Sequence, residues 1–83
     1  MEEEKIKNII KNYIENNFLV TFGEDFLNDD NLFKNGTIDS FGYIELVKFL
    51  ENEFKINIED EDLTSGALNS LKNITDYILN KIK

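Results

Sequence analysis

Apolar residues fall at Ile6, Ile9, Ile10, Tyr13 and Ile14, spacings of three, one, three and one that lay all five on a single helical stripe. The spacing predicts a first helix whose opening turn holds Glu2, Glu3 and Glu4, where the positive end of the helix dipole favours carboxylates. The rhythm breaks between Phe18 and Ile38, with Gly23, the Asn28-Asp29-Asp30-Asn31 cluster and Asn35-Gly36 as turn signals. This stretch reads as a long loop, and Phe18, Phe22, Phe26, Leu32, Phe33 and Ile38 are apolar anchors that would hold it across a helical core. A second helix is predicted from Asp39-Ser40, either of which can cap its free amides, to Glu53 or Phe54, with Leu46, Val47, Leu50 and Phe54 facing inward. Ile56 and Ile58 alternate with Asn57 but stand too isolated to pair as a strand. With the Glu59-Asp60-Glu61-Asp62 run they read as a connector and a short third helix. Ser70 then caps a last helix with Leu71, Ile74, Tyr77, Ile78 and Ile82 on its inner stripe and Lys81 and Lys83 in its final turn. The predicted architecture is all-α, a small four-helix bundle filling residues 1–83 as one domain, with a long loop between helices one and two and a short third helix.

Composition narrows what such a bundle can do. Val, Ile, Leu and Phe make up 29 of the 83 residues, well above the roughly one-fifth of disordered chains. With no Cys and no His, the chain has neither disulfides nor soft metal ligands, and zinc sites and histidine-based triads are excluded. Seventeen carboxylates stand against nine Lys, a formal charge of -8, so nucleic acid and anionic lipid repel it and its natural partners are basic protein surfaces. From Asp39 to Asp62 eight carboxylates face two Lys, which places most of the charge on the side of the second helix. No apolar run approaches the roughly 20 residues of a membrane span, and an acidic start is unlike a signal peptide. These features together lead to the expectation of a cytoplasmic protein.

Two acidic clusters, Asp29-Asp30-Asn31 and Glu59-Asp60-Glu61-Asp62, raise a metal-binding alternative. A calcium loop begun at Asp29 places Lys34 where glycine is required and Ser40 where glutamate is required, so the spacing fails. Ser40 itself has no His or Cys to activate it and is no self-sufficient nucleophile. Taken alone, an Asp-Ser pair before a helix reads as a cap.

The longer run Leu32-Phe33-Lys34-Asn35-Gly36-Thr37-Ile38-Asp39-Ser40-Phe41-Gly42-Tyr43-Ile44-Glu45-Leu46 resembles the acyl carrier proteins. The similarity continues through Val47, Leu50-Glu51, Phe54, Ile56 and Ile58 and resumes at Ile74-Thr75-Asp76-Tyr77-Ile78, so it spans most of the chain. The resemblance implies that Ser40 bears a 4'-phosphopantetheine arm, supplied from coenzyme A by a phosphopantetheinyl transferase with Mg²⁺, whose thiol holds acyl groups as thioesters. It implies that Asp39 meets basic residues of the transferase. Phe41 departs from the commoner Leu, and the resemblance places it exposed near the arm, with core packing as its other role. Ile44 matches an apolar position facing partners, and Glu45 is the further acid aimed at basic docking surfaces of acyl-loading and acyl-processing enzymes. Glu51, Glu53 and the Glu59 to Asp62 run extend that steering charge. Gly42 would admit a close approach by partner backbone. Lys48 stands where fatty-acid type carriers commonly place an apolar residue, which points to a specialised fatty-acid, polyketide or nonribosomal-peptide type pathway. The expectation is thus a monomeric carrier that performs no catalysis itself, and a free-standing one, since the sequence stops shortly after the last helix with no flanking linker. The rival from another class is a helical docking scaffold without a prosthetic group.

Overall fold

A computed structural model describes residues 2–24, 27–33 and 38–82. The stripe that starts at Ile6 folds as α1 (Glu2–Phe18), which buries Ile6, Ile10 and Ile14 and leaves Ile9 and Tyr13 half-buried at its margin. The second stripe becomes α2 (Ser40–Phe54), burying Gly42, Leu46 and Leu50. α3 (Asp60–Thr64) is a single short turn of helix, so most of the acidic run is the helix itself rather than its approach. α4 (Leu71–Ile82) buries Leu71, Ile74, Thr75 and Ile78. Among the described residues these four helices form an all-α bundle in which α1 packs most extensively on α4.

The helix ends follow local chemistry. Ser70 Oγ accepts the Asn73 amide proton at 3.1 Å and so caps α4. α1 and α2 both terminate in a left-handed non-glycine residue, Leu19 and Lys55, each at φ 56°. The chain then turns back, and a glutamate on each helix takes the amide seven residues further on. Glu15 accepts from Phe22 N–H and Glu51 from Ile58 N–H, both at 2.9 Å. Glu51 therefore fixes the connector to α3 in addition to carrying charge.

The long loop is held as its apolar anchors suggested. Phe22, Leu32 and Ile38 are buried, and Phe18 and Phe33 pack half-buried against the core. Backbone bonds stitch it to the start of α4: Leu32 N–H to Asn69 O at 2.8 Å and Lys72 N–H to Asn28 O at 2.9 Å. Phe26, Lys34, Asn35, Gly36, Thr37 and Lys83 lie outside the described residues. One inner-stripe assignment is corrected: Ile82 is 40% exposed, because α4 has run past the end of the core by its last turn.

Candidate functional site

The site is built by the first turn of α2. Asp39 sits just before the helix in an extended conformation, φ -92° and ψ -170°, and its Oδ1 accepts the Gly42 amide proton at 2.9 Å. Its backbone carbonyl accepts from Tyr43 N–H at 2.9 Å. Of the two residues able to cap, Asp39 does so, and Ser40 is the first helical residue. The Ser40 side chain is exposed and makes no hydrogen bond among the described residues. The backbone amides of Ser40 and Phe41 remain without helical partners, the ordinary state of a first turn.

Ser40 opens onto a cleft of about 410 Å³ lined by Phe33, Ile38, Asp39, Tyr43, Leu63 and Asn69. Its far wall is braced by Tyr43, whose hydroxyl donates to the Leu63 carbonyl at 2.9 Å. The Phe33 ring meets the Tyr43 ring edge to face, with centroids 5.0 Å apart. Burial raises the Tyr43 pKa above its usual 10.0. Tyr43, Leu63 and Asn69 were not identifiable as site residues from local pattern, because the bond that joins Tyr43 to Leu63 spans twenty positions.

Phe41, Ile44, Glu45 and Lys48 follow a helical i, i+3, i+4, i+7 series and share one face of α2. Phe41 is 80% exposed and Ile44 52%, so neither packs in the core. Glu45 and Lys48 are exposed and have no ion-pair partner among the described residues. Glu45 does lie close enough to Tyr13 to add to the rise that burial imposes on that phenol.

Gly42 has a different cause from the partner approach expected of it. It is buried, and a Cβ there would stand 2.7 Å from Phe18 Cε1 and 3.0 Å from Ile38 Cγ2. Glycine at this position lets the loop anchors lie directly on the first turn of α2, next to Ser40. Asp62 is likewise engaged internally, accepting the Tyr77 hydroxyl at 2.6 Å. Among the described residues no group of three or more acids is arranged to hold a metal ion, and no helix is long and apolar enough to cross a membrane.

Comparison with known proteins finds a relative that aligns over nearly the whole chain. The chain is 38% identical over 81 residues to an acyl carrier protein of Buchnera aphidicola subsp. Schizaphis graminum (strain Sg), an alignment that covers 98% of this chain and 94% of that protein. The chain belongs to the acyl carrier protein family. No family model and no solved structure matches it. Acyl carrier proteins are carriers rather than catalysts, and they normally hold a 4'-phosphopantetheine group and interact with a transferase and acyl-processing enzymes. The small all-α bundle is that of an acyl carrier protein.

Proposed function

We propose that Ser40 is the residue to which 4'-phosphopantetheine is joined, and that this single-domain carrier passes acyl groups between separate enzymes. The observation that carries this reading is the division of labour at the start of α2. Asp39 takes the capping role, which leaves the Ser40 hydroxyl exposed and without a hydrogen bond among the described residues, beside a cleft of about 410 Å³.

The residues present fit the group. Ser40 Oγ supplies the nucleophile, forming one bond to the pantetheine-bearing phosphorus of coenzyme A while the bond from that phosphorus to the adenosine 3',5'-bisphosphate leaving group breaks. With no His or Cys in the chain, the hydroxyl proton must pass to a base of the transferase. The free Ser40 and Phe41 amides and the positive helix end favour a phosphodiester on that oxygen. Phe33, Ile38, Tyr43 and Leu63 offer apolar walls to what is attached. When bound, the arm supplies a thiol on which acyl groups are carried as thioesters.

Partner enzymes would read the exposed face of α2. Phe41 and Ile44 present apolar surface there, and Asp39 and Glu45 present charge that steers basic docking patches. Lys48 interrupts this surface with a cation and favours a specialised fatty-acid, polyketide or nonribosomal-peptide type pathway over primary fatty-acid synthesis. On this reading the carrier works as a monomer in the cytoplasm.

The test is intact mass spectrometry after incubation with coenzyme A, Mg²⁺ and a phosphopantetheinyl transferase. A single mass gain in the wild type that is absent in Ser40→Ala is the expected result. Undiminished labelling of Ser40→Ala refutes the assignment, and no gain in either protein leaves the docking scaffold as the better reading.

A further inference from the structure

The end of α1 lies beside the first turn of α2. Tyr13 of α1 stacks on Phe49 of α2, with ring centroids 3.9 Å apart, while Phe18 Cε1 stands 2.7 Å from where a Cβ on Gly42 would be. The two helices therefore run antiparallel here, and the last turn of α1 is level with Ser40, Phe41 and Gly42. Leucine at the next position, Leu19, works against the fold. It sits in the left-handed region at φ 56°, where a side chain carries a cost that glycine escapes, and it is 90% exposed, so no burial offsets that cost. Its N–H closes α1 on the Glu15 carbonyl at 3.1 Å, a bond that does not depend on the side chain. The residue in the same conformation at the end of α2 is the polar Lys55. Leu19 and Phe41 are the two most exposed large apolar side chains among the described residues, and both stand at the Ser40 end of this helix pair.

We propose that Leu19 is an apolar anchor for the enzyme that modifies Ser40, and that this enzyme presents an apolar hollow with a basic rim that takes Leu19 together with Phe41. The inference rests on Ser40 being the attachment residue. An enzyme that reaches Ser40 Oγ must sit over the first turn of α2, and a specific interface covers about 800 Å² on each partner. A footprint of that size around Ser40 takes in the neighbouring end of α1. Asp39 and Glu45, both exposed, stand on either side of Phe41 along the chain and complement a basic rim. The same charge opposes a second copy of this chain as the occupant, since each copy carries -8.

The experiment follows the rate of mass gain against carrier concentration, with coenzyme A, Mg²⁺ and a phosphopantetheinyl transferase. It compares the full chain as wild type, Leu19→Gly, Leu19→Met and Lys55→Gly. Leu19→Gly is expected to raise KM about tenfold with kcat unchanged, as loss of an apolar contact made equally before and during the reaction requires. Its denaturant midpoint should be no lower than that of the wild type, because the left-handed position suits glycine. Leu19→Met keeps an apolar side chain and should keep the wild-type KM. Lys55→Gly makes the same kind of backbone change roughly 22 Å along α2 from Ser40 and should leave KM unchanged. A wild-type KM in Leu19→Gly overturns the anchor, while a mass gain absent only from Ser40→Ala leaves the attachment reading standing. An equal rise in Lys55→Gly overturns it as well, since loosened helix ends would then be the cause. A wild-type dimer in sedimentation that Leu19→Gly dissolves makes a second copy the occupant and overturns it too. No mass gain in the wild type refutes Ser40 as the attachment residue and the anchor with it.

Discussion

Asp39 accepts the amide proton of Gly42 at 2.9 Å, a contact that straddles Ser40 and frees it from any duty to the helix. Two substitutions separate the structural role of Asp39 from its charge. Asp39→Ala is expected to cost about 1 kcal/mol of stability by removing the cap. Asp39→Asn keeps an oxygen acceptor and is expected to stay within a few tenths of a kcal/mol of the wild type. Both should be modified more slowly by the transferase at low salt, with the difference from the wild type shrinking as salt screens the lost charge. Denaturant titration and initial rates of mass gain check the two halves separately.

At Gly42, intrinsic preference and packing oppose one another. Replacing a glycine inside a helix by alanine normally gains up to about 1 kcal/mol, and less in the first turn, where Gly42 stands. Here the new methyl would meet Phe18 Cε1 at 2.7 Å, and overpacking of this kind costs about 1–3 kcal/mol. Gly42→Ala is therefore expected to lose roughly 1 kcal/mol net. Adding Phe18→Leu should recover part of the loss, which a double-mutant cycle by thermal unfolding would detect.

The two glutamates near the end of α2 should behave differently although they are two residues apart. Glu51 holds the Ile58 amide, and Ile58 is buried, so Glu51→Ala leaves that donor short of a partner at a cost of about 1–3 kcal/mol. Glu53 is exposed with no such contact among the described residues, and Glu53→Ala is expected to fall within about 0.5 kcal/mol of the wild type. Equal losses at the two positions, measured by denaturant midpoint, would refute this account of the connector.

These cases show where the sequence was legible. The helices of the bundle could be read because Ile6, Ile10 and Ile14, then Leu46 and Leu50, then Leu71, Ile74 and Ile78 repeat at the helical period and are buried as that period requires. The loop anchors could be read because large apolar side chains in a polar stretch need somewhere to go. The roles of Gly42, Glu51 and Tyr43 could not, since each is decided by a residue on another element or across a turn: Phe18, Ile58 and Leu63. The choice between Asp39 and Ser40 as the cap was open because both side chains carry a suitable oxygen, and one residue of register settles it. Ser40 itself entered through resemblance, since an exposed hydroxyl leaves no trace in a hydrophobic pattern.

Alkaline pH should loosen the α3–α4 contact. Burial, reinforced by the hydrogen bond to Asp62, pushes the Tyr77 pKa from 10.0 up to about 12. A folded value above the unfolded one means that the contribution is fully present below pH 10.0 and is lost as pH rises towards about 12. Tyr77→Phe is expected to be less stable at neutral pH and to lose less stability between those two values. Tyr13 and Tyr43, whose pKa values are also raised, leave a residual slope in the variant. Denaturant midpoints across the alkaline range, paired with phenolate absorbance, give the measurement.

Because α1 rests mainly on α4, the first of these four helices to leave a ribosome finds its chief neighbour only when the last of the four emerges. A lone helix of 17 residues is marginal in water, so Ile10 and Ile14 stay wet for most of synthesis. Closure must come late and all at once, and a nascent polypeptide stalled before Leu71 would present its greasy flank to chaperones and proteases instead of settling into half a protein.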